Sequence, residues 1–295
     1  MLTELPMKPV SRTAVTFSML SLAFAAAAAG VTLFWDGAFP PPPGATTFNA
    51  ALAEARGWSL VTLTVVLPML VLLLRAARRG SLRARLAWLG PLAYLIYTYL
   101  EFAVSPPFTV LYLAYIAAFA CALVALPLAL PSVDAASLQM THGARIPRRS
   151  IAAFALVSSA LLALAWLKGI VARTWAAEFG WPEGVDAVGH VVQALDLGLQ
   201  VPLGIATGVA VLRRHSSGIV LAALCLLNGV CMGLALTAMV AASSVASGQP
   251  LSAALPFVVL PIVSGGLALA FFRALGSREA GHPTEQADRS VPMAS

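Results

Sequence analysis

An all-α membrane protein, a bundle of about eight transmembrane helices, is the fold class this sequence predicts, and three observations predict it. Of its 295 residues 60% are hydrophobic and only 10% charged, too little polar surface to cover a soluble globule of that length. Eight apolar stretches meet or approach the roughly 20 residues a helix needs to cross hydrocarbon. Nearly all Lys and Arg residues fall in the connections on one side of those stretches, as the positive-inside rule requires of a multi-pass protein.

Each element has its own local signals. Thr13–Trp35 is entered from Lys8 and Arg12 and is rich in alanine. Trp58–Leu74 contains Pro68 and is closed by Arg75, Arg78 and Arg79. Ala84–Val104 starts beside Arg83 and Arg85 and stops before Ser105-Pro106-Pro107, after which Phe108–Leu130 begins. Ser150–Ile170 comes after Arg145, Arg148 and Arg149, and Ala187–Leu212 ends at Arg213-Arg214. Gly218–Ala242 and Ser252–Leu275 are joined by the uncharged Ser243–Pro250, with Arg273, Arg278 and Arg289 near the end of the chain. The runs are continuous and rich in Ala and Leu, without the alternation of a strand, so helices are expected throughout.

With these segments, fifteen of the 18 basic residues share one side, and Arg56, Lys168 and Arg173 lie on the other. The expected topology places both termini in the cytoplasm. The net charge of +6 sits in short clusters at helix ends, which suit anionic lipid headgroups and not nucleic acid. A cleavable signal peptide ending near Ala25–Ala29 is the alternative for the first segment, but the apolar run continues through Phe34 and Trp35, longer than a signal core requires. Phe39-Pro40-Pro41-Pro42-Pro43-Gly44 reads as a stiff polyproline stretch, followed by a polar surface segment reaching Gly57. Residues 1–276 form the membrane domain, and the polar Ser277–Ser295 reads as a disordered cytoplasmic tail.

A faint internal repeat is visible. Leu67-Pro68 is followed by Arg78-Arg79-Gly80, and Val201-Pro202 by Arg213-Arg214-His215, each leading through a short turn into another apolar helix. An offset of about 134 residues would make 1–140 and 141–276 two parallel four-helix repeats related by an axis along the membrane normal. Recurrent prolines and paired arginines in unrelated membrane helices are the competing explanation.

Polar residues inside the membrane carry the functional information. At 100° per residue His190, Gln193, Asp196, Gln200 and Thr207 fall within an arc of about 120° on one helix. A charge facing lipid at the depth of Asp196 costs several kcal/mol, so the carboxylate must face the bundle interior, a partner or water. Asn228, Glu101, Lys168, Ser59 and Thr62 lie at depths from which they could join it, Thr62 being the repeat equivalent of Asp196. Tyr94, Tyr97 and Glu101 share a face that suits a cation or polar headgroup, or else an aromatic belt. For Asp196 the competing role is an interhelical hydrogen bond that fixes packing; for Lys168 and Glu101 it is snorkelling at the interface.

Gly204-x-x-x-Gly208 and Gly229-x-x-x-Gly233 mark places where helices approach closely, and Pro68, Pro91, Pro202, Pro256 and Pro261 lie where helices can kink. Of four histidines only His190 lies in a membrane segment, which denies haem a facing pair. Cys121, Cys225 and Cys231 form no Cys-x-x-Cys, and no metalloprotease, nucleophile-elbow or P-loop motif occurs. No cofactor and no metal are expected.

Trp88-Leu89-Gly90-Pro91-Leu92-Ala93-Tyr94-Leu95-Ile96-Tyr97-Thr98-Tyr99, continued in Leu111-Tyr112-Leu113-Ala114-Tyr115, resembles an uncharacterised family of bacterial multi-pass integral membrane proteins. The run from Asp196 through Pro202 to Arg213-Arg214 is similar to a second part of that pattern. The resemblance covers about half the chain and implies a bacterial inner membrane but no activity. Where that family tends to carry a polar or acidic residue near the start of the second helix, this chain has Trp58-Ser59.

Two functions fit this pattern. The first is a small-solute or proton-coupled transporter with an outward-facing polar cavity, in which Asp196 titrates while His190, Gln193, Gln200, Asn228, Glu101 and Tyr97 form the ligand site. The second is a scaffold or sensor subunit that transports nothing and docks a membrane-protein partner. An intramembrane enzyme has no pairable nucleophile and base.

Overall fold

The computed structural model describes residues 9–39, 50–105, 107–176 and 185–276. Every regular element among the described residues is helical. The principal helices are α1 (Arg12–Phe34), α2 (Ala51–Arg78), α3 (Leu89–Val104), α4 (Tyr112–Ser132), α5 (Arg148–Trp175), α6 (Gly189–Leu212), α7 (Ser217–Ser247) and α8 (Leu251–Ala274). Among the described residues all but α3 are long and apolar enough to cross a membrane, so seven helices there reach that length.

The remaining expected segment, Ala84–Val104, is divided. Leu82–Ala87 forms a short helix capped by Ser81, whose hydroxyl accepts from the Ala84 N–H at 3.3 Å, and α3 begins beyond Trp88 with 16 residues. Pro91 has no N–H to return to the Ala87 carbonyl, so the hydrogen-bond ladder fails where the helix divides.

Other boundaries move for equally local reasons. Helical structure leading into α2 starts at Ala50, one residue ahead of that span and well before the expected Trp58. Its first turns are amphipathic: Leu52, Ala55 and Trp58 are buried at helical spacing, while Glu54 is exposed and Arg56 pairs with Asp36 at 2.5 Å. A hydropathy average therefore passes over them, and the surface segment expected to reach Gly57 is helical from Ala50. At its far end α5 continues past Lys168 to Trp175, and α4 starts at Tyr112, after the expected Phe108. An additional short helix, Ala135–His142, is capped by Asp134, whose carboxylate accepts the Ser137 N–H at 3.0 Å. The run from Pro40 to Gly44 and the tail from Ser277 lie outside the described residues.

Packing is led by small residues. The seam between α1 and α4 sets Ala14, Ser18, Ser21, Ala25 and Ala28 against Ala118, Ala122, Ala125 and Ala129, and Ser21 donates across it to the Ala118 carbonyl at 2.8 Å. Helix α7 is the hub, touching α2, α3, α6 and α8. A Cβ on Gly57 would run into the Ala238 carbonyl, and one on Gly233 into Pro261, which is how closely α7 approaches α2 and α8. Gly204 and Gly208 press against Ser159 and Leu156 of α5, so each of the two expected glycine pairs faces an outer helix and not the other pair. The tyrosine-rich α3 lies inside, with Tyr94, Tyr97 and Tyr99 no more than 5% exposed.

Two helices widen into π-helical turns, α2 at Thr62–Val66 and α6 at Asp196–Gln200, displaced by 134 residues. Each turn gives way to a twelve-residue α segment with a proline at its second position, Pro68 or Pro202. A proline ring clashes with the carbonyl four residues back, here Thr64 and Gly198, and a wider turn at that place relieves the clash. Both segments end in the same cap. The Ser81 N–H reaches the Ala76 carbonyl at 3.0 Å with Gly80 at φ 93°, and the His215 N–H reaches the Ala210 carbonyl at 3.0 Å with Arg214 at φ 56°.

Candidate functional site at Asp196

Asp196 is the first residue of the π turn in α6 and is 8% exposed. Its Oδ1 accepts the Tyr97 hydroxyl at 2.6 Å, and its Oδ2 accepts the Trp166 indole N–H at 2.8 Å. One carboxylate thus ties α6 to α3 and to α5. An indole N–H donates only, and both contacts deliver hydrogens to the oxygens, which favours an ionised acceptor.

The π turn re-aims the side chains beyond Asp196. Gln200 turns toward α7, where its Oε1 accepts from Asn228 Nδ2 at 3.3 Å. Asn228 is 6% exposed, and its own Oδ1 has no hydrogen-bond partner. Asp196 and Gln200 therefore address different helices, and the arc drawn at 100° per residue does not form one continuous stripe. Gln193 is half-buried, His190 is exposed, and Thr207 is buried with its hydroxyl donated back to Leu203 at 2.7 Å. Glu101 is half-buried one turn beyond Tyr97, and Lys168 is exposed.

One turn away on α3 lies a neutral counterpart. Tyr94 meets Thr62, the first residue of the π turn in α2, at 2.6 Å. Thr62 also donates to the Trp58 carbonyl at 3.0 Å, so its single hydrogen is spent and Tyr94 is the donor. The Trp58 indole stacks on Tyr94 with centroids 6.1 Å apart and donates to Thr98 at 3.1 Å. Tyr94 and Tyr97 are inside the bundle and not in an aromatic belt, each bonded to the opening residue of a π turn.

Trp166 is the member that sequence reasoning missed. The available signal was an indole N–H in the middle of an apolar helix, a donor with no partner in lipid. Two cavities lie elsewhere. One of about 580 Å³ runs along the face of α5 that carries Leu164, Lys168 and Trp175, and one of about 320 Å³ lies beside Glu54. Asp196 lines neither. Among the described residues no three His, Cys, Asp or Glu side chains gather as metal ligands would.

No family model matches this sequence, and no curated protein or solved structure is significantly similar to it.

Proposed function

We propose that the chain is a proton-coupled carrier of a small polar solute, crossing a bacterial inner membrane eight times with both termini in the cytoplasm. The observation that carries this reading is Asp196, a carboxylate enclosed among helices and held by one donor on each oxygen. A proton arriving on Oδ1 is tolerated, because the Tyr97 hydroxyl can turn and accept it. A proton on Oδ2 faces the Trp166 N–H, donor against donor, and breaks that bond. Protonation on Oδ1 therefore reverses the Tyr97 bond and keeps α5 tied to α6, whereas protonation on Oδ2 loosens α5 from α6, so the oxygen that takes the proton sets which contact changes. An arrangement of two parallel repeats is in keeping with this reading, and what supports it is the shared offset of 134 residues between the π turns opened by Thr62 and Asp196, the prolines that follow them and the caps that end them. In this reading α3 is the eighth crossing, shielded from lipid by its neighbours.

The test is proton movement in proteoliposomes carrying an internal pH indicator, with wild type and Asp196→Asn compared under an imposed solute gradient. Solute-dependent acidification lost in Asp196→Asn, with folding intact, is the expected result. Transport that persists unchanged in the variant overturns the role of Asp196. A non-transporting scaffold or sensor subunit is the second reading, in keeping with Asp196 lining neither the cavity along α5 nor the one beside Glu54. It predicts no flux, and a membrane-protein partner whose co-purification is lost when Asp196 and Tyr97 are altered.

A further inference from the structure

At the end of the bundle opposite the helix-terminal arginines, α2 and α7 part company. They touch at Gly57 and Ala238, where no side chain fits between them. One turn along, the Ser243 hydroxyl of α7 donates to Glu54 Oε1 of α2 at 3.4 Å. Beyond that point α7 ends at Gly248, whose φ of 67° turns the chain, and the Gln249 N–H reaches back to the Ser244 carbonyl at 2.8 Å. The space enclosed is the cavity of about 320 Å³, lined by Glu54, Ser243, Ser244, Ser247, Gln249 and Pro250 among others.

The hydrogen-bonding character of this cavity is weighted toward acceptors. The Ser243 hydrogen is committed to Glu54, and that of Ser247 to the Ser243 carbonyl at 2.8 Å. What these groups still offer is lone pairs, on the carboxylate and on both hydroxyl oxygens, with the Gln249 carboxamide as an adaptable neighbour. No lining side chain is cationic, and the nearby Arg56 is turned to Asp36 and the Thr32 carbonyl. The Ser244 hydroxyl and the Gln249 carboxamide can donate as well as accept, but the only charge among the lining side chains is the Glu54 carboxylate, which complements a compact cation with several N–H groups.

We propose that this cavity binds the primary ammonium group of a small solute, with Glu54 supplying the charge and Ser243 and Ser247 accepting its remaining hydrogens. The site is separate from Asp196 and does not depend on the transport reading.

The experiment is calorimetric titration of the full chain in phosphatidylcholine nanodiscs with ethylammonium, and with tetramethylammonium, which has the same charge but no N–H. Saturable binding of ethylammonium is expected, with tetramethylammonium at least about tenfold weaker, as the loss of charge-assisted hydrogen bonds implies. Glu54→Gln should weaken ethylammonium by about tenfold or more. Ser247→Ala, at an exposed position that folding tolerates, should weaken it by about threefold, and this variant decides the matter if Glu54→Gln fails to fold. Absence of saturable ethylammonium binding, equal binding of the two cations, or unchanged affinity in both variants would overturn the proposal.

Discussion

Removing one hydroxyl, in Tyr97→Phe, tests whether Asp196 carries a charge inside the bundle. Interhelical hydrogen bonds between neutral groups in membrane proteins contribute about 0.6 kcal/mol on average. A bond to an ionised acceptor is about twice as strong, so Tyr97→Phe should cost about 1–2 kcal/mol and leave Oδ1 without a donor. Tyr94→Phe is the internal control, since it removes a bond of the same 2.6 Å length from the same helix, but to a neutral hydroxyl. Thr62 keeps its bond to the Trp58 carbonyl, so that change orphans nothing and should cost only about 0.5–1 kcal/mol. Reversible unfolding in mixed micelles, monitored by tryptophan fluorescence, gives both values. In an Asp196→Asn background the cost of Tyr97→Phe should fall to that of Tyr94→Phe. Equal costs for the two tyrosines in wild type, or no change of the Tyr97→Phe cost in that background, would refute an ionised Asp196.

Four further predictions rest on separate features. Gly57→Ala puts a methyl group into the Ala238 carbonyl and should destabilise by about 1–3 kcal/mol in the same unfolding assay, whereas Gly169→Ala, where the added carbon meets nothing, should not destabilise. Arg214 occupies a left-handed cap that Gly80 occupies at the matching place, so Arg214→Gly should stabilise by about 0.5–1 kcal/mol and Gly80→Ala should destabilise by a similar amount. Burial, and after it the charges of Arg145 and Arg83, lowers the His142 pKa below its ordinary 6.5. The unfolded chain then binds more protons there, so this contribution to stability is complete above that value and is lost as pH falls below it, and His142→Gln should flatten the acid side of the stability profile. With Cys121, Cys225 and Cys231 replaced by alanine, single cysteines at Gly80 and His215 should react with an impermeant maleimide from one face of the membrane and a cysteine at Gln249 from the other; labelling of Gly80 and His215 from opposite faces would exclude the proposed topology.

Composition and charge order made the helical membrane class legible, because lipid leaves a chain few ways to satisfy its backbone. They did not show where amphipathic turns extend a helix, as at Glu54 and Arg56, since an average over a window cannot see one buried face. Nor did they show the division at Trp88, although Pro91 was in view. Asp196 stood out because a carboxylate in an apolar run is costly, and Tyr97 because it shares a helix face with Tyr94 and Glu101. Trp166 did not, since which residues meet across two helices depends on their rotation, and a π turn alters that rotation without leaving a mark in the hydropathy. Proline and arginine pairs revealed the offset of 134 residues, but the turns that share it are set by backbone geometry.

The three tyrosines of α3 meet their partners at different moments of synthesis. Tyr94 and Tyr99 bond to Thr62 and to the Ala25 carbonyl, both made before α3 itself. Tyr97 waits for Asp196, 99 residues later, a delay of about 5–20 s at ordinary elongation rates. During that interval the first half of the chain can assemble around α1, α2 and α4 with one hydroxyl left open, and the arrival of α6 closes it. A ribosome stalled before Asp196 should therefore hold a first half that is still open along the faces of α2 and α3 that α6 and α7 will cover.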